Sequence, residues 1–473
     1  MSARYLTTTL PYVNADPHIG FALEIVQADA LARVWRAAGD DVFFSTGTDE
    51  HGQKIYEAAE KAGQEPQAYV DRYAAEFRKL KEALNLSNDT FIRTTDPAHV
   101  AAAGEMWRRC AAAGDIEMRE YEGLYCVGHE AFVTEKDLVD GKCPDHGREP
   151  ELLKERNYFF TFSKYQDRLL EYLSRPDSII PDWRREEAIA FVKGGLEDFS
   201  ISREKARLSW GIPVPGDETQ IMYVWFDALT NYISTLSWPD ESGNFKKYWT
   251  DGQTLQVAGK DQVRFQSLMW QAMLMSAGVK TTDQVFYHGF ITSGGKKMSK
   301  SLGNVINPLD LVEKYGTDAV RYVLLRHVSP TEDSDLTLDA IHEHYTAHLT
   351  NGLGNLVARV MKLAEEHVPE PIAVPAIETL LRGDRKTFES FAFNEVLDRI
   401  WHEIGVIDQV MTNEKPFAVV KEDAERGRRL ITQCVEQLAV IAQRLAPFMP
   451  GTSEKVIAAV RANKKPENLF PRI

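Results

Sequence analysis

Apolar positions along this chain change their period from segment to segment, and that change divides it before any chemistry is considered. Tyr5-Leu6-Thr7-Thr8-Thr9-Leu10 is a short β-branched run that predicts a strand, and Ala22 to Ala38 carries the spacing of a helix. Between them lies the turn Pro17-His18-Ile19-Gly20, so the N-terminus predicts a strand–turn–helix unit. His18 and Gly20 would then sit where the strand gives way to a helix N-terminus, and orphan backbone N–H groups there favour phosphate. Downstream, Trp210-Gly211-Ile212-Pro213-Val214-Pro215-Gly216 is rich in turn formers, and Gln220 to Ser237 resumes an apolar, aromatic pattern. From about residue 340 apolar residues recur at helical spacing with few strand signals, which predicts an all-helical end.

Composition narrows the class without fixing it. A chain of 473 residues, 44% of them hydrophobic, can bury several cores, and at about 150 residues per domain it suggests roughly three. No signal peptide or membrane-spanning segment is apparent, so a cytoplasmic protein without a membrane partner is expected. The net charge of −15 argues against a nonspecific nucleic-acid coat. An acidic body can still carry a local basic track, and the lysine-rich segment near residue 297 with Arg321 and Arg326 is one candidate.

The strongest chemical signal is Lys296-Lys297-Met298-Ser299-Lys300-Ser301, framed by Gly294-Gly295 and Gly303. Two lysines three residues apart on a Gly-framed loop can both face one triphosphate, although alone they also describe a solvated basic loop. Four cysteines are too few and too scattered for a disulfide framework. Two of them form C-x-x-H pairs, Cys126 with His129 and Cys143 with His146, separated by the residues 130–142. That spacing lets four N/S ligands close a tetrahedron around one structural Zn²⁺; two unrelated loops with buried thiols are the other reading.

His18-Ile19-Gly20-Phe21 and Lys297-Met298-Ser299-Lys300-Ser301 resemble the HIGH and KMSKS signatures of class I aminoacyl-tRNA synthetases. Leu10-Pro11-Tyr12-Val13-Asn14, Gly47-Thr48-Asp49-Glu50-His51-Gly52, Ser200-Ile201-Ser202-Arg203, Tyr223-Val224-Trp225-Phe226-Asp227-Ala228 and Gly259-Lys260-Asp261 are similar to the methionyl branch, in its order and over essentially the whole chain. The resemblance implies an α/β fold. A Rossmann-type catalytic domain would be built from residues 1–115 and 225–325, interrupted by a connective insertion at 116–224 that carries the zinc knuckle. Residues 326–473 would form a stem-contact segment and an all-α anticodon-binding bundle.

It also implies a chemistry: ATP with Mg²⁺ activates L-methionine to an adenylate, and the methionyl group passes to tRNA(Met). His18, Lys297 and Lys300 are then the catalytic cations, with Asn14, Gly20, Gly259 and Asp261 completing the ATP cradle. Asp49 would take the methionine ammonium and Arg203 the negative end of the substrates. Leu10, Tyr12, Trp225, Ala228, Tyr232, Phe265, Gln266 and Trp270 would form the side-chain slot, where aromatic walls suit a thioether; such aromatics equally serve a core. Asn355 and Arg359, four apart on one helix face, would read the anticodon while Phe417 stacks on a base.

Four positions depart from the family pattern. Phe21 replaces the second histidine of HIGH, Gln266 stands where histidine commonly sits, His129 replaces a cysteine in the knuckle, and Phe417 replaces tryptophan. Alternatives are another class I synthetase and a noncatalytic tRNA-binding paralogue. The large editing insertion of the leucine, isoleucine and valine enzymes hardly fits this length, and the cationic residues disfavour a noncatalytic protein. A monomer is expected, because no appended tRNA-binding module precedes Ile473.

Overall fold

In the computed structural model, residues 2–126, 131–133, 135, 138–144, 147–298, 304–377 and 385–473 are described. Six parallel strands form the main sheet in the order Thr90–Arg93, Asp41–Thr48, Ala3–Thr8, Gln253–Gly259, Gln284–His288, Ile179–Ile180. From the adjacent pair Ala3–Thr8 and Gln253–Gly259, where Thr8 lies opposite Val257, chain order runs outward through Asp41–Thr48 to Thr90–Arg93 on one side and to Gln284–His288 on the other, with the earlier segment Ile179–Ile180 added at that edge. The crevice beyond the C-terminal ends of those two strands is the topological switch point at which such sheets bind ligands. Tyr5 to Thr8 are all buried, as a parallel strand covered on both faces requires.

Helix Ile19–Ala37 is buried on nearly every side, because it packs against the sheet and also against the helical half. A single core cluster runs from Leu6 and Leu23 through Leu324 to Leu438 and Phe470. The C-terminal half is helical among its described residues: Leu338–His344, Asn355–His367, Phe393–Asn413, Pro416–Glu422, Ala424–Leu445 and Pro450–Ala462 are its principal helices. Gly427 lets two of them cross closely, since a Cβ there would lie 2.3 Å from the Val420 Cα.

Two features differ from the sequence-based expectation. The edge strand Ile179–Ile180 and its flanking helices Gln166–Ser174 and Asp182–Lys193 come from within residues 116–224, so part of that stretch completes the main sheet. Other segments of it form a four-stranded antiparallel sheet in the order Ala131–Val133, Ile116–Cys126, Glu151–Phe160, Phe199–Ser200, and a three-stranded one in the order Pro213–Val214, Asp217–Met222, Ser202–Glu204. A two-residue strand offers no period to read, which is why this contribution is invisible in the sequence. Arg321, expected on a surface track, is fully buried. It pairs with Asp29 at 2.8 Å and donates to the carbonyls of Phe448 (2.7 Å), Pro447 (2.9 Å) and Leu84 (3.1 Å), so it fastens the two halves together. Arg326 is likewise engaged, with Asp398 at 2.9 Å.

Candidate active site

His18 is the N-cap of helix Ile19–Ala37, its Nδ1 accepting the Gly20 N–H at 3.1 Å. Gly20 needs its lack of a side chain here, because a Cβ would approach the His18 ring to 2.9 Å. The ring opens to solvent on one side but is ringed by protein on the other; the resulting desolvation, opposed by Glu24, lowers its pKa. Immediately beyond, the Ile19 N–H donates to the Ile306 carbonyl at 3.0 Å. This bond ties the His18 turn to Ile306, a few residues past the Lys297–Ser301 segment.

The lysine segment begins as a β-hairpin rather than a plain loop. Ile291–Ser293 pairs antiparallel with Lys296–Lys297 around Gly294-Gly295, whose φ values of 63° and 69° supply the left-handed turn. Asp335 braces it, accepting from the Gly295 N–H at 2.8 Å and the Thr292 hydroxyl at 2.9 Å. Lys300 and the Lys297 side chain lie outside the described residues.

Across the switch point stands a polar cluster that sequence patterning did not single out. Glu24 accepts from both the Thr9 N–H and hydroxyl at 2.6 Å, and its other oxygen pairs with His288 Nε2 at 2.9 Å. His288 Nδ1 faces the Gly289 carbonyl at 2.7 Å. Both ring nitrogens thus meet oxygen atoms; burial opposes the charge, but the Glu24 carboxylate outweighs it and the pKa is raised. A charged residue inside the apolar run Ala22-Leu23-Glu24-Ile25-Val26 was the available signal. Nearby, Gly259 closes its strand where a Cβ would meet Asp261 Oδ1 at 2.7 Å, leaving that carboxylate, exposed and bonded by Gln262 at 2.8 Å, at the crevice edge. Asn14 is exposed on the same N-terminal loop, its carbonyl accepting from the Tyr69 hydroxyl at 3.3 Å.

The proposed slot residues divide into a rim and a floor. Trp225 stacks on Phe265 at 4.0 Å and meets Tyr12 edge-on at 6.2 Å; all three are half-buried, as is Leu10. Ala228, Tyr232, Gln266 and Trp270 are buried below, with Tyr232 and Trp270 rings 5.8 Å apart. Phe265 and Gln266 lie on the π-helical turn Val263–Met269, a distortion often found at functional sites. Gln266 is 1% exposed, yet neither its Nε2 nor its Oε1 makes a hydrogen bond among the described residues, although the Tyr232 hydroxyl is close by. An amide buried with both ends unsatisfied points to an absent partner.

Asp49 is buried at the end of strand Asp41–Thr48, and its backbone bonds to Val13 (3.2 Å) and Pro11 (3.0 Å) set it beside the Tyr12 loop. Arg203 is also buried. Its Nη1 donates to the Ser200 hydroxyl (2.8 Å) and the Ser202 carbonyl (2.7 Å), and its guanidinium lies over Tyr125 and Tyr223. Behind the slot, Asp227 is bonded to His51 and His99, each at 2.7 Å, and His99 to Ser234 at 2.9 Å. Burial would raise the Asp227 pKa, but the two imidazoles reverse this and hold the carboxylate ionised. Asp227 thereby locks the helix Val224–Leu229, which carries Trp225 and Ala228, to the turn after Asp49.

Comparison with known proteins decides what this arrangement is. A family model described as tRNA synthetases class I (M) matches residues 4–149 and 146–361. The methionine--tRNA ligase of Mesorhizobium japonicum is 41% identical, covering 99% of this chain and 97% of that protein, and the one from Brucella suis is 40% identical over 98% and 92%. The chain belongs to the methionyl-tRNA synthetase family. Among solved structures, Mycobacterium tuberculosis methionyl-tRNA synthetase with methionyl-adenylate superposes with a TM-score of 0.90 at 38% identity, covering 100% of this chain and 99% of that one. The free form of that synthetase gives 0.81 at 35% identity over 100% and 97%. The fold is thus the class I synthetase fold.

Other residues singled out for synthetase function fall outside the crevice. Asn355 is exposed at the start of Asn355–His367, and Arg359 one turn on pairs with Asp408 at 2.8 Å. Phe417 is 46% exposed at the start of Pro416–Glu422, an unusual position for a large apolar ring. Cys126 ends a strand and Cys143 follows a tight bridge; both are buried. His129 and His146 lie outside the described residues.

Proposed function

We infer that this chain is a methionine–tRNA ligase in which the crevice at the sheet's switch point activates L-methionine with ATP, and the same crevice then passes the methionyl group to tRNA(Met). The observation that supports this reading is the Ile19–Ile306 bond, which ties the His18 turn to the chain a few residues past the lysine segment, together with an aromatic slot holding a buried, unsatisfied amide. Positioning and charge neutralisation do the work, with no covalent nucleophile on the protein. The methionine carboxylate attacks the α-phosphate and pyrophosphate departs. His18 donates toward the transferring phosphate from its N-cap position, and Lys297 and Lys300 meet the charge on the departing phosphates. Asn14 and Gly20 line the cradle, and Gly259 and Asp261 hold the ribose, whose hydroxyls the Asp261 carboxylate accepts. Mg²⁺ arriving with ATP neutralises phosphate charge.

Asp49 holds the ammonium of methionine, Arg203 engages the negative end of the substrates, and the aromatic rim with Gln266 receives the thioether. Asn355, Arg359 and Phe417 read the anticodon on the helical half. Cys126, His129, Cys143 and His146 hold one structural Zn²⁺. Two buried thiols suit that ion, and the turn in which the Gly147 N–H bonds the Cys143 carbonyl at 2.8 Å and the Cys143 N–H bonds the Arg148 carbonyl at 2.9 Å is a compact knuckle. Each site is built within one chain, so a monomer suffices. Its substrates place it in the cytoplasm, and no described helix is long and apolar enough to cross a membrane. Methionine-dependent ATP–pyrophosphate exchange, followed by charging of tRNA(Met), tests the reading; a folded protein without exchange is the noncatalytic paralogue instead.

A further inference from the structure

Away from the crevice, three histidines converge at the joint between the catalytic and helical halves. His327 caps the C-terminus of helix Thr317–Arg326, while His344 and His348 are four residues apart on the helix that runs from Leu338–His344 into the π-helical turn Tyr345–Gly354. Each offers a ring nitrogen, and the three nitrogens lie within 4.8 Å of one another. Two of them already point at a common centre: His348 Nδ1 and His327 Nε2 bond the Tyr322 hydroxyl at 2.8 and 3.1 Å. All three rings are half-buried.

We propose that His327, His344 and His348 form a second Zn²⁺ site, distinct from the knuckle, with a water or the Tyr322 hydroxyl in the fourth position. Imidazoles at i and i+4 on one helix face are a chelating pair, and a third from a facing element completes three of four tetrahedral positions. Zn–N bonds of about 2.0–2.1 Å set the nitrogens roughly 3.3 Å apart, so side-chain rotation must draw them in by at most about 1.5 Å. That movement breaks the parallel stack of His327 on His344, whose centroids are now 3.6 Å apart. The nearest opposing charge, Arg326, is offset by its ion pair with Asp398 at 2.9 Å. Because His327 follows helix Thr317–Arg326 and the other two ligands lie on the next helix, the ion would pin those two elements together. No signature of the synthetase resemblance includes these residues.

The test is Zn²⁺ titration of the chelator-stripped full chain, with stoichiometry read by competition against a chromogenic chelator. Wild type should bind one equivalent more than His344→Gln or His348→Gln, or hold that equivalent about tenfold or more tighter than they do. The Cys126→Ser/Cys143→Ser variant should retain this equivalent. Should that variant misfold, Co²⁺ loading of wild type and His348→Gln separates the sites, since the thiolate charge-transfer band should stay while total Co²⁺ falls by one equivalent. Far-UV circular dichroism and methionine-dependent exchange like wild type would show the histidine variants folded. Equal Zn²⁺ stoichiometry and affinity in wild type and both histidine variants would overturn the proposal.

Discussion

Replacing Gln266 by leucine should stabilise the free protein while weakening its hold on methionine. Gln266 is 1% exposed with both amide atoms unsatisfied, and each such buried polar group costs about 1–3 kcal/mol. Leucine fills nearly the same volume without polar atoms, so the ligand-free chain should gain about 1–3 kcal/mol. If the amide instead serves the thioether, its removal forfeits one weak hydrogen bond, about 0.5–1.5 kcal/mol, or roughly two- to tenfold in KM for methionine. Norleucine separates these effects, because a methylene in place of sulfur can accept nothing. In ATP–pyrophosphate exchange the methionine-to-norleucine ratio of kcat/KM should therefore fall about two- to tenfold in Gln266→Leu. A lower melting temperature with an unchanged ratio would refute the reasoning, since it would mean the amide is satisfied within the fold and takes no part in recognition.

Lys300→Ala should slow exchange by about a hundredfold or more while leaving methionine binding, measured by calorimetry, nearly intact, because a charge used mainly in the transition state affects rate. Arg359→Ala should lower tRNA charging by about 10- to 100-fold and leave exchange unchanged; in the free protein Arg359 need only release a part-exposed pair with Asp408. Arg321→Met should cost about 3–5 kcal/mol in denaturant unfolding, since it leaves Asp29 buried without its main counter-charge. Burial pushes the Asp29 pKa up, but Arg321, with Arg33 and Ser87, overrides it and holds the carboxyl below the usual range. That stability is present above the unfolded carboxylate pKa and is lost as pH falls through the depressed folded value, so the gap between wild type and variant should narrow in acid.

Local pattern marks some features of this molecule and misses others, for a physical reason. His18, Gly20 and the lysine segment stand out as candidates because phosphate binding would demand particular residue types at fixed local spacing, and the first strand and helix announce themselves by period. What failed to show depends on contacts between distant segments. Ile179–Ile180 joins the main sheet with only two residues, and nothing local marks it as a strand. Arg321 looks like a surface cation until Asp29, nearly three hundred positions away, is packed against it.

The same logic applies inside the site. Glu24 and His288 are 264 positions apart and carry no shared motif, yet they close the polar wall of the crevice at 2.9 Å. His51 and Asp227 lie in segments that resemble the family, but their pairing at 2.7 Å, with His99 on the other oxygen, emerges only in three dimensions. Asp227 sits two residues from Trp225 and next to Ala228, and His51 two residues from Asp49, so this buried anion couples the wall of the proposed slot to the carboxylate proposed to meet the ammonium. The residues proposed to touch substrate stand in local patterns, whereas those that fix their positions are chosen by long-range packing and hydrogen bonding. A buried Glu or Asp within an apolar run, as in Ala22-Leu23-Glu24-Ile25-Val26, is the one local trace such positioning leaves, because an unpartnered carboxylate there would be too costly to keep.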